Sequence, residues 1–276
     1  MKTHSIKSKN LIGAFSFMRM LLIGFAANAQ QTDSIQSVKP VAGELNFPKN
    51  NFKINLSSLA LKNYSLYYER SLSRKITFSA GYRTMPSTNL GGLSIVKKLS
   101  DKINEGDELF DGIDRMQAGG NAYTGEFRFY GGKKPGARGL YLALYGRYAT
   151  FDHDYDYRFT TSSNNTISVP LKSKVNGYGG GLMIGKQWLI AKRVNFDFYW
   201  LGGHYGKLSG TTNAITDLST LSQQDQQSLQ QELDDILVIK DKPLLNSSVN
   251  NQGVSGKIDG PFAGIRGLGF SLGIAF

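Results

Sequence analysis

Hydrophobic and polar residues alternate with a period of two along most of the chain after residue 50. Successive side chains of a β-strand point to opposite faces, so this alternation predicts strands. In one such segment, Val194, Phe196 and Phe198 alternate with Asn195 and Asp197. Eight segments of this kind lie at residues 52–57, 64–72, 76–83, 123–129, 140–148, 177–188, 194–200 and 267–276. The even number of strands is typical of bacterial single-chain membrane barrels.

The connections between the predicted strands fall into two classes of length. Three short links, at 73–74, 131–138 and 190–193, lie at one end of the predicted barrel. A fourth short link, at 61–63, lies at the other end, together with the long links. The long links are 84–121, 153–170 and 208–260. Outer-membrane barrels combine short turns on the periplasmic side with long extracellular loops. The pattern therefore predicts three elaborated extracellular loops.

Alternation alone does not say which face of such a barrel is outside, because a secreted lipocalin-like barrel shows the same period around an apolar interior. Here the second face combines Gly, Ser and Ala with a few charges, namely Glu69, Arg83, Glu126, Arg128, Arg147 and Asp197. A water-exposed face would carry more Lys and Glu and fewer glycines. The loop asymmetry and a last alternating strand ending at Phe276 agree with that composition. We therefore predict an all-β, eight-stranded antiparallel up-and-down transmembrane β-barrel over residues 51–276.

The N-terminal residues have the features of a targeting segment. A basic region at residues 2–9 precedes an apolar stretch at 11–27, and residues 27–29 (Ala-Asn-Ala) have the small-x-small form of a cleavage site. We expect a signal peptide at 1–29 and a disordered periplasmic leader at 30–50. The alternative is an N-terminal membrane anchor, for which the apolar stretch is short. No later run of eighteen apolar residues occurs, so we expect any membrane crossing to be through strands.

Composition narrows the classes of function. The chain has no cysteine, which excludes a disulfide scaffold, a thiolate metal site and a cysteine nucleophile. The formal net charge of +11 falls to +7 without the signal peptide, because four basic residues and no acidic residue precede Gln30. The remaining Lys and Arg are scattered, which argues against nucleic-acid binding and suits anionic lipid head groups. No phosphate loop, dinucleotide fingerprint or zinc-ligand spacing occurs, and we expect no cofactor.

Short stretches of the sequence resemble known outer-membrane proteins. The ending GFSLGIAF at 269–276 is similar to the C-terminal signal that the barrel-assembly machinery recognises in outer-membrane barrels. The stretches KINL at 53–56 and YYERSLS at 67–73 resemble small β-barrels common in Bacteroidetes, which are distantly similar to the OmpA and OmpX barrels. The resemblance implies a place in the outer membrane of a Gram-negative cell and carries over no activity. It also implies an assembly signal formed by Phe270, Leu272, Ile274 and Phe276.

The six charges on the second face are the strongest candidate constellation. An eight-stranded barrel is just wide enough for side chains to fill its interior. Isolated charges buried there would be costly, so they have to pair. We predict that these six residues form a salt-bridge network that closes the lumen, and the alternative is a gate or a narrow polar pathway.

Asp152, Asp154 and Asp156 alternate where the fifth predicted strand leaves the membrane. Carboxylates on one side of a strand could hold Ca²⁺, which prefers oxygen ligands. The competing interpretation, which we favour, is a solvated acidic strand end. We therefore expect no resident metal.

His204 is the candidate base for an enzyme interpretation. The stretch His204-Tyr205-Gly206 resembles the His-x-Ser arrangement of lipid A deacylases, whose activity occurs on eight-stranded barrels, but Gly206 stands where that arrangement has its serine. A serine from elsewhere could take its place, because catalytic triads are defined by geometry. We favour an interfacial histidine near Trp200.

The long loops contain segments with helical periodicity at 93–116 and 215–239, the second with a stripe of Leu229, Leu233, Ile236 and Leu237. Such stripes either pack on the barrel rim or form a surface that binds a partner. We expect a non-enzymatic outer-membrane protein with a structural or interaction role, in contact with the bilayer, lipopolysaccharide and the barrel-assembly machinery. Its loops would bind an extracellular protein or glycan. A small-solute channel, indicated by the glycine-rich inner face, and a lipid-modifying enzyme are the alternatives.

Overall fold

A computed structural model describes residues 47–93, 115–236, 238–239 and 242–276. The strands in these residues are β1 (Asn50–Asn55), β2 (Tyr64–Ser71), β3 (Ile76–Asn89), β4 (Met116–Tyr130), β5 (Gly139–Thr160), β6 (Thr166–Ile190), β7 (Val194–Ile215), β8 (Val238–Ile239), β9 (Lys242–Pro243), β10 (Leu245–Asn250), β11 (Gly253–Pro261), β12 (Gly264–Arg266) and β13 (Gly269–Ala275). One α-helix, α1 (Gln223–Asp235), and a 3₁₀ turn, Ser57–Leu61, complete the described elements. Within the described ranges, no helix is long and apolar enough to cross a membrane.

Three sequence predictions fall on other parts of the chain. The signal peptide at 1–29, nearly all of the leader at 30–50 and nearly all of the helix-like segment at 93–116 lie outside the described residues. The last residue assigned to the leader, Asn50, is the first residue of β1.

Eight strands close into a ring in which every neighbouring pair is antiparallel. Strands β1 to β7 pair in chain order, and β13 closes the ring by pairing with both β7 and β1. These are the eight strands that the alternation predicts, and the all-β, up-and-down antiparallel ring is confirmed.

The stagger of the ring can be read from its hydrogen-bonded partners. One row of partners runs once around the ring through Trp188, Phe196, Leu272, Ile54, Leu66, Tyr82, Tyr123, Tyr148 and Tyr178. The row leaves β6 at residue 188 and returns to β6 ten positions earlier, at residue 178. Strand number and stagger together set the width of a barrel, and eight strands leave an interior that side chains can fill.

The two faces of the ring are opposite to those of a water-soluble protein. All nine residues of the row above are large and apolar or aromatic, and their side chains lie on the outside. The inward face is polar, with these residues buried: Asn51, Lys53, Asn55, Ser65, Glu69, Thr77, Ser79, Glu126, Arg128, Gln187, Asn195 and Asp197. This arrangement agrees with the predicted assignment of the two faces.

Strands β5, β6 and β7 continue beyond the ring and form a second region, the head, made of residues 150–176 and 207–261. Above the ring, β7 pairs on one side with β6 and on the other with β11, which pairs with β10. The predicted loop at 153–170 is therefore wrong, because β5 and β6 pair continuously up to Thr160 and Thr166. The predicted loop at 208–260 likewise contains the end of β7, α1, β10 and β11.

The head has an ordinary hydrophobic core. Helix α1 packs its buried Leu229 and Leu233 toward one face of the head sheet. The buried residues of this core are Phe159, Val169, Leu171, Ala214, Leu218, Leu221, Leu229, Leu233, Leu245 and Val254. The predicted helical stripe is confirmed at Leu229 and Leu233, whereas Ile236 is exposed and residue 237 is outside the described part.

The start of α1 is fixed by side-chain hydrogen bonds. Ser222 is the N-cap, and its hydroxyl accepts a hydrogen bond from the backbone N–H of Asp225 at 3.1 Å. The Asp225 carboxylate accepts from the backbone N–H of Ser162 at 2.9 Å, which ties the helix to the β5–β6 hairpin. The hydrogen bonds from Ser162 and Ser222 hold the pKa of Asp225 below its usual value.

Candidate functional site

A network of charged side chains fills the lower part of the ring, which is the end away from the head. We call Lys53, Glu69, Glu126, Arg128, Asp197 and Arg266 the charge network. Lys53 Nζ donates to Glu69 Oε2 at 2.7 Å and to Asp197 Oδ2 at 2.8 Å. Arg128 binds Glu126 through Nη2 and Asp197 through Nη1, each at 2.6 Å. Three basic and three acidic groups thus balance, which lowers the cost of burying them.

Neutral side chains complete the hydrogen bonding of the acidic groups. Glu69 Oε1 accepts from Thr77 Oγ1 at 2.6 Å and from the Tyr130 hydroxyl at 2.7 Å. Asp197 Oδ1 accepts from the Tyr141 hydroxyl at 2.8 Å. Glu69 and Glu126 are fully buried. Carboxylates removed from water are tolerated when their lone pairs are used in this way.

Two hydrogen bonds of this region cross the whole width of the ring. Gln187 Nε2 on β6 donates to Glu69 Oε2 on β2 at 3.1 Å, and these strands are four apart in the ring of eight. Arg266 Nη1, from the β12 segment that extends the line of β13 along β7, donates to Glu126 Oε1 on β4 at 2.9 Å. Side chains therefore meet in the middle of the lumen and fill it at this level.

The structure brings together four of the six sequence-predicted charges, Glu69, Glu126, Arg128 and Asp197. Lys53 and Arg266 also belong to the network, although the sequence pattern does not single them out. Lys53 lies between the outward residues Phe52 and Ile54, so the alternation in β1 already places it inward. Arg266 is the last residue of β12, and Gly267 and Leu268 separate it from β13. The ladder with β7 is interrupted there, so periodicity gives no signal.

Inward glycines provide room for aromatic rings. The cross-strand partners are Tyr67 and Gly81, Tyr141 and Gly185, Tyr199 and Gly269, and His204 and Gly264. A Cβ on any of these glycines would come within 2.1–2.6 Å of a ring atom of its partner. Glycine is thus required at these places because a ring lies directly over the backbone. At these four glycines, which include Gly185 of β6 and Gly269 of β13, aromatic rings occupy space in the lumen.

Arg83 and Arg147 do not join the charge network. They lie further up the inner wall, facing Ala122 and Thr124 of β4, which runs between them. Neither forms an ion pair with a carboxylate among the described residues. The Nε atom of each is buried and has no hydrogen-bond partner there. The prediction of one network containing all six charges is therefore wrong for these two arginines.

A β-bulge in β7 changes the side to which His204 points. The pairs Ile184–Leu201 and Gly185–Tyr199 are consecutive on β6, so one extra residue, Trp200, stands in β7. An extra residue shifts the alternation by one and turns the following side chains to the other face. His204 is therefore inside the ring, where its Nδ1 lies 3.2 Å from the Tyr145 hydroxyl. The predicted position at the lipid interface near Trp200 is wrong for this reason.

The surroundings of His204 differ from those of a hydrolase base. Its ring packs on Phe262 with 4.6 Å between ring centroids, and Gly264 lies beneath it. No serine hydroxyl forms a hydrogen bond with His204 in the part of the chain that is described. A His–Ser pair is thus not formed in this arrangement.

The three aspartates of the candidate calcium site lie on the outward face of the head. Asp152 and Asp154 face Lys174 and Lys172 across the β5–β6 pair, and Asp156 accepts a hydrogen bond from the Ser168 hydroxyl. Oppositely charged partners across a strand pair stabilise a solvated sheet surface. No group of three or more His, Asp or Glu side chains suited to a metal ion is found in the described ranges. The geometry favours the solvated acidic strand over the calcium site.

The four residues of the predicted assembly signal share the outward face of β13. Phe270, Leu272, Ile274 and Phe276 are 39%, 45%, 63% and 65% exposed, whereas Ser271 and Ala275 are buried. The outward alternation of this strand is confirmed. The recognition of these residues by an assembly machinery stays a prediction.

Comparison with known proteins adds little to these observations. The sequence matches no family model, and no curated protein is similar to it. The structure is similar to the crystal structure of Acinetobacter baumannii CarO with a TM-score of 0.33 and 11% sequence identity. The match covers 85% of this chain and 100% of CarO. A likeness of this size carries no inference about function.

Proposed function

We propose that the chain is an integral outer-membrane protein whose ring spans the bilayer and whose head projects from it. The observation that carries this proposal is the row of nine large apolar or aromatic side chains that runs once around the outside of the ring. Such a surface would be unstable in water, since soluble proteins seldom expose apolar patches of this size. In hydrocarbon it is the expected surface of a barrel.

The outer face of β5 supports the same proposal by its abrupt change of character. Leu140, Leu142, Leu144 and Tyr148 face outward along nine residues, which is the length of a tilted strand that spans a bilayer. The next outward residue is Thr150, and polar outward residues follow it to Thr160. The boundary between the bilayer and water is therefore proposed to lie between Tyr148 and Thr150.

A structural or interaction role follows from the filled lumen and the folded head. The bonds from Gln187 to Glu69 and from Arg266 to Glu126 obstruct the passage of solutes at the level of the charge network. The head presents a rigid, polar surface on which an extracellular protein or glycan could bind. Lipopolysaccharide would contact the outside of the ring, and the β13 residues would guide assembly. No catalytic function is proposed.

Membrane insertion is tested by cell fractionation and by heat-modifiable gel mobility. The protein expressed with its N-terminal segment should be found in the outer-membrane fraction. Its mobility in detergent should change on boiling, because folded barrels withstand detergent without heat. A soluble protein with unchanged mobility would overturn the proposal. The outward apolar row would then have to be covered by another protein.

The filled lumen is tested by solute flux through liposomes that contain the purified protein. We expect no discrete conductance and no selective flux, because the charge network spans the lumen. Selective flux from the unaltered protein would contradict the structural role and revive the channel interpretation. The single substitution Gln187→Ala removes one of the two cross-lumen bonds. It provides a control for the sensitivity of the assay.

A further inference from the structure

The unpaired arginines of the inner wall lie in a part of the lumen that has excess positive charge. The acidic groups of the charge network are already paired with Lys53, Arg128 and Arg266. Arg83 and Arg147 therefore add two positive charges that no carboxylate in the described residues offsets. Arg83 and Arg147 lie on either side of β4, beside Ala122 and Thr124, which are two residues apart. Arg266 donates to the hydroxyl of Tyr67, whose ring lies over Gly81, two residues from Arg83 on β3.

The two arginines are partly removed from water. Both side chains are half-buried, and the Nε atom of each is completely buried without a partner. An apolar cluster begins at the level of Arg83, whose cross-strand partner is Ala122, and is formed by Ala122, Ala149 and Phe262 with Phe151 and Leu208 against them. Buried charges that lack a counter-charge are costly, and the cost rises in surroundings of low polarity. Neutralisation by a bound negative charge would remove this cost.

Arg266 lies against two tyrosines, Tyr67 and Tyr199, whose hydroxyls are neutral donors. The hydroxyl of Tyr67 accepts a hydrogen bond from Arg266 Nη2 at 3.2 Å, and the hydroxyl of Tyr199 accepts one from Asn55 Nδ2 at 2.9 Å. Each hydroxyl keeps its own proton to donate, and no acceptor for either proton is found in the described part of the chain. The Arg266 guanidinium lies 5.1 Å and 5.2 Å above the rings of Tyr145 and Tyr199, which fixes its position.

We propose that Arg83, Arg147, Tyr67 and Tyr199 form a binding site for a small soluble oxyanion of the phosphate or carboxylate class. Planar guanidinium groups donate two parallel hydrogen bonds to such anions, and phenol hydroxyls add neutral donors. The side chains point into the lumen, so lipid head groups outside the ring cannot reach them. The site depends on the closed ring alone and does not require that the ring lies in a membrane.

The test is a titration of inorganic phosphate into the refolded protein in a neutral detergent without phospholipid. Chloride is replaced by phosphate at constant ionic strength. Calorimetry and the midpoint of thermal unfolding are the readouts. We expect saturable binding and a midpoint that rises with phosphate. Arg83→Gln and Arg147→Gln should each weaken phosphate binding at least tenfold, since each removes a charged pair of donors. Arg158→Gln, at an exposed position of the head, is the matched control and should bind as the unaltered protein does.

A second readout separates binding from a structural role. Without phosphate, Arg147→Gln should raise the midpoint of unfolding, because it removes a half-buried positive charge that no carboxylate of the described residues offsets. An arginine that served only the fold would lower the midpoint when replaced. No saturable effect of phosphate on the unaltered protein would overturn the proposal and mean that the chain satisfies these charges itself. Unchanged binding in the double variant Arg83→Gln/Arg147→Gln would also overturn it. Both readouts for the unaltered protein are independent of whether a variant folds.

Discussion

The ring and the head share the three strands β5, β6 and β7, yet their inner and outer faces have opposite character. On the outward face of β5, Leu142 and Leu144 of the ring are followed in the head by Asp152 and Asp154. On the inward face, the order is reversed, since the polar Arg147 is followed by Phe159, which is 1% exposed. Strand pairing continues without interruption through this change.

We attribute this difference to the surrounding medium, because the same strands run through both regions. Strand β6 repeats the exchange, with the inward Gln187 in the ring and the inward Val169 and Leu171 in the head. In the proposed bilayer, hydrocarbon outside the ring would offer the polar groups no partner, and they satisfy one another inside. In the head, water outside hydrates the polar face and the apolar face packs inside. The predictions below contrast the two regions.

The largest expected effect is that of Asp197→Asn in the ring. Asp197 holds both Lys53 and Arg128, so the substitution leaves an uncompensated buried positive charge. Breaking a buried pair in this way costs about 3–5 kcal/mol. The free energy of unfolding should fall by that amount in a urea titration of the refolded protein.

The matched control in the head is Asp152→Asn. This carboxylate is exposed, and a surface substitution of this kind changes stability by less than about 0.5 kcal/mol. Equal effects of Asp197→Asn and Asp152→Asn would mean that the network is hydrated in solution. The charged groups of the lumen would then be as accessible to water as those on the surface of the head.

Leu229→Ala should have the next largest effect, confined to the head. Leu229 is completely buried between α1 and the head sheet, and removing such a side chain costs about 2–5 kcal/mol. We expect faster hydrogen exchange of the head amides, measured by mass spectrometry, while the heat-modifiable mobility of the ring is kept. Gln231→Ala, on the exposed side of α1, is the control. Loss of the mobility shift would show that ring and head fold as one unit.

The part of the fold that sequence could predict is the ring, where outward apolar and inward polar residues alternate with a period of two. The ring strands and the inward position of Glu69, Glu126, Arg128 and Asp197 follow from alternation. The strands of the head fall in segments that the sequence predicts as loops, because polar residues such as Asp154 on their outward face are also common in loops. In these strands only the inward residues, such as Phe159, are apolar and indicate a strand.

The rest of the site depends on features that a period of two in the sequence does not reveal. The bulge at Trp200 reverses the alternation in β7 and brings His204 inside, although the sequence around it has no unusual residue. Arg83 and Arg147 are separated from the charge network because they lie closer to the head along their strands. Strand register and tilt set these positions. The inward charges could thus be named, but their partners could not.

Leu144→Arg tests the outer face of the ring and is expected to have a smaller effect. Leu144 is 53% exposed and lies between Phe127 and Leu182 on the neighbouring strands. An arginine on the lipid face near the middle of a barrel costs about 2–4 kcal/mol. The free energy of unfolding from lipid vesicles should fall accordingly.

The head offers a matched substitution in Ile215→Arg. Ile215 is 93% exposed at the end of β7, so an arginine there should be tolerated in any medium. If Leu144→Arg were as harmless as Ile215→Arg, both regions would face water. The membrane proposal would fail with that result.

Ser222→Ala at the N-cap of α1 has the smallest expected effect. The substitution removes the acceptor for the Asp225 N–H and the hydroxyl that donates to the Asp225 carboxylate at 2.7 Å. Loss of such a cap costs about 0.5–2 kcal/mol. Hydrogen exchange should quicken in the first turn of α1 and stay unchanged in β2 and β4. Ser248→Ala, at an exposed position of β10, should change neither. Faster exchange in the ring would show that the head stabilises it, because a cap reaches only its own helix unless the two regions are coupled.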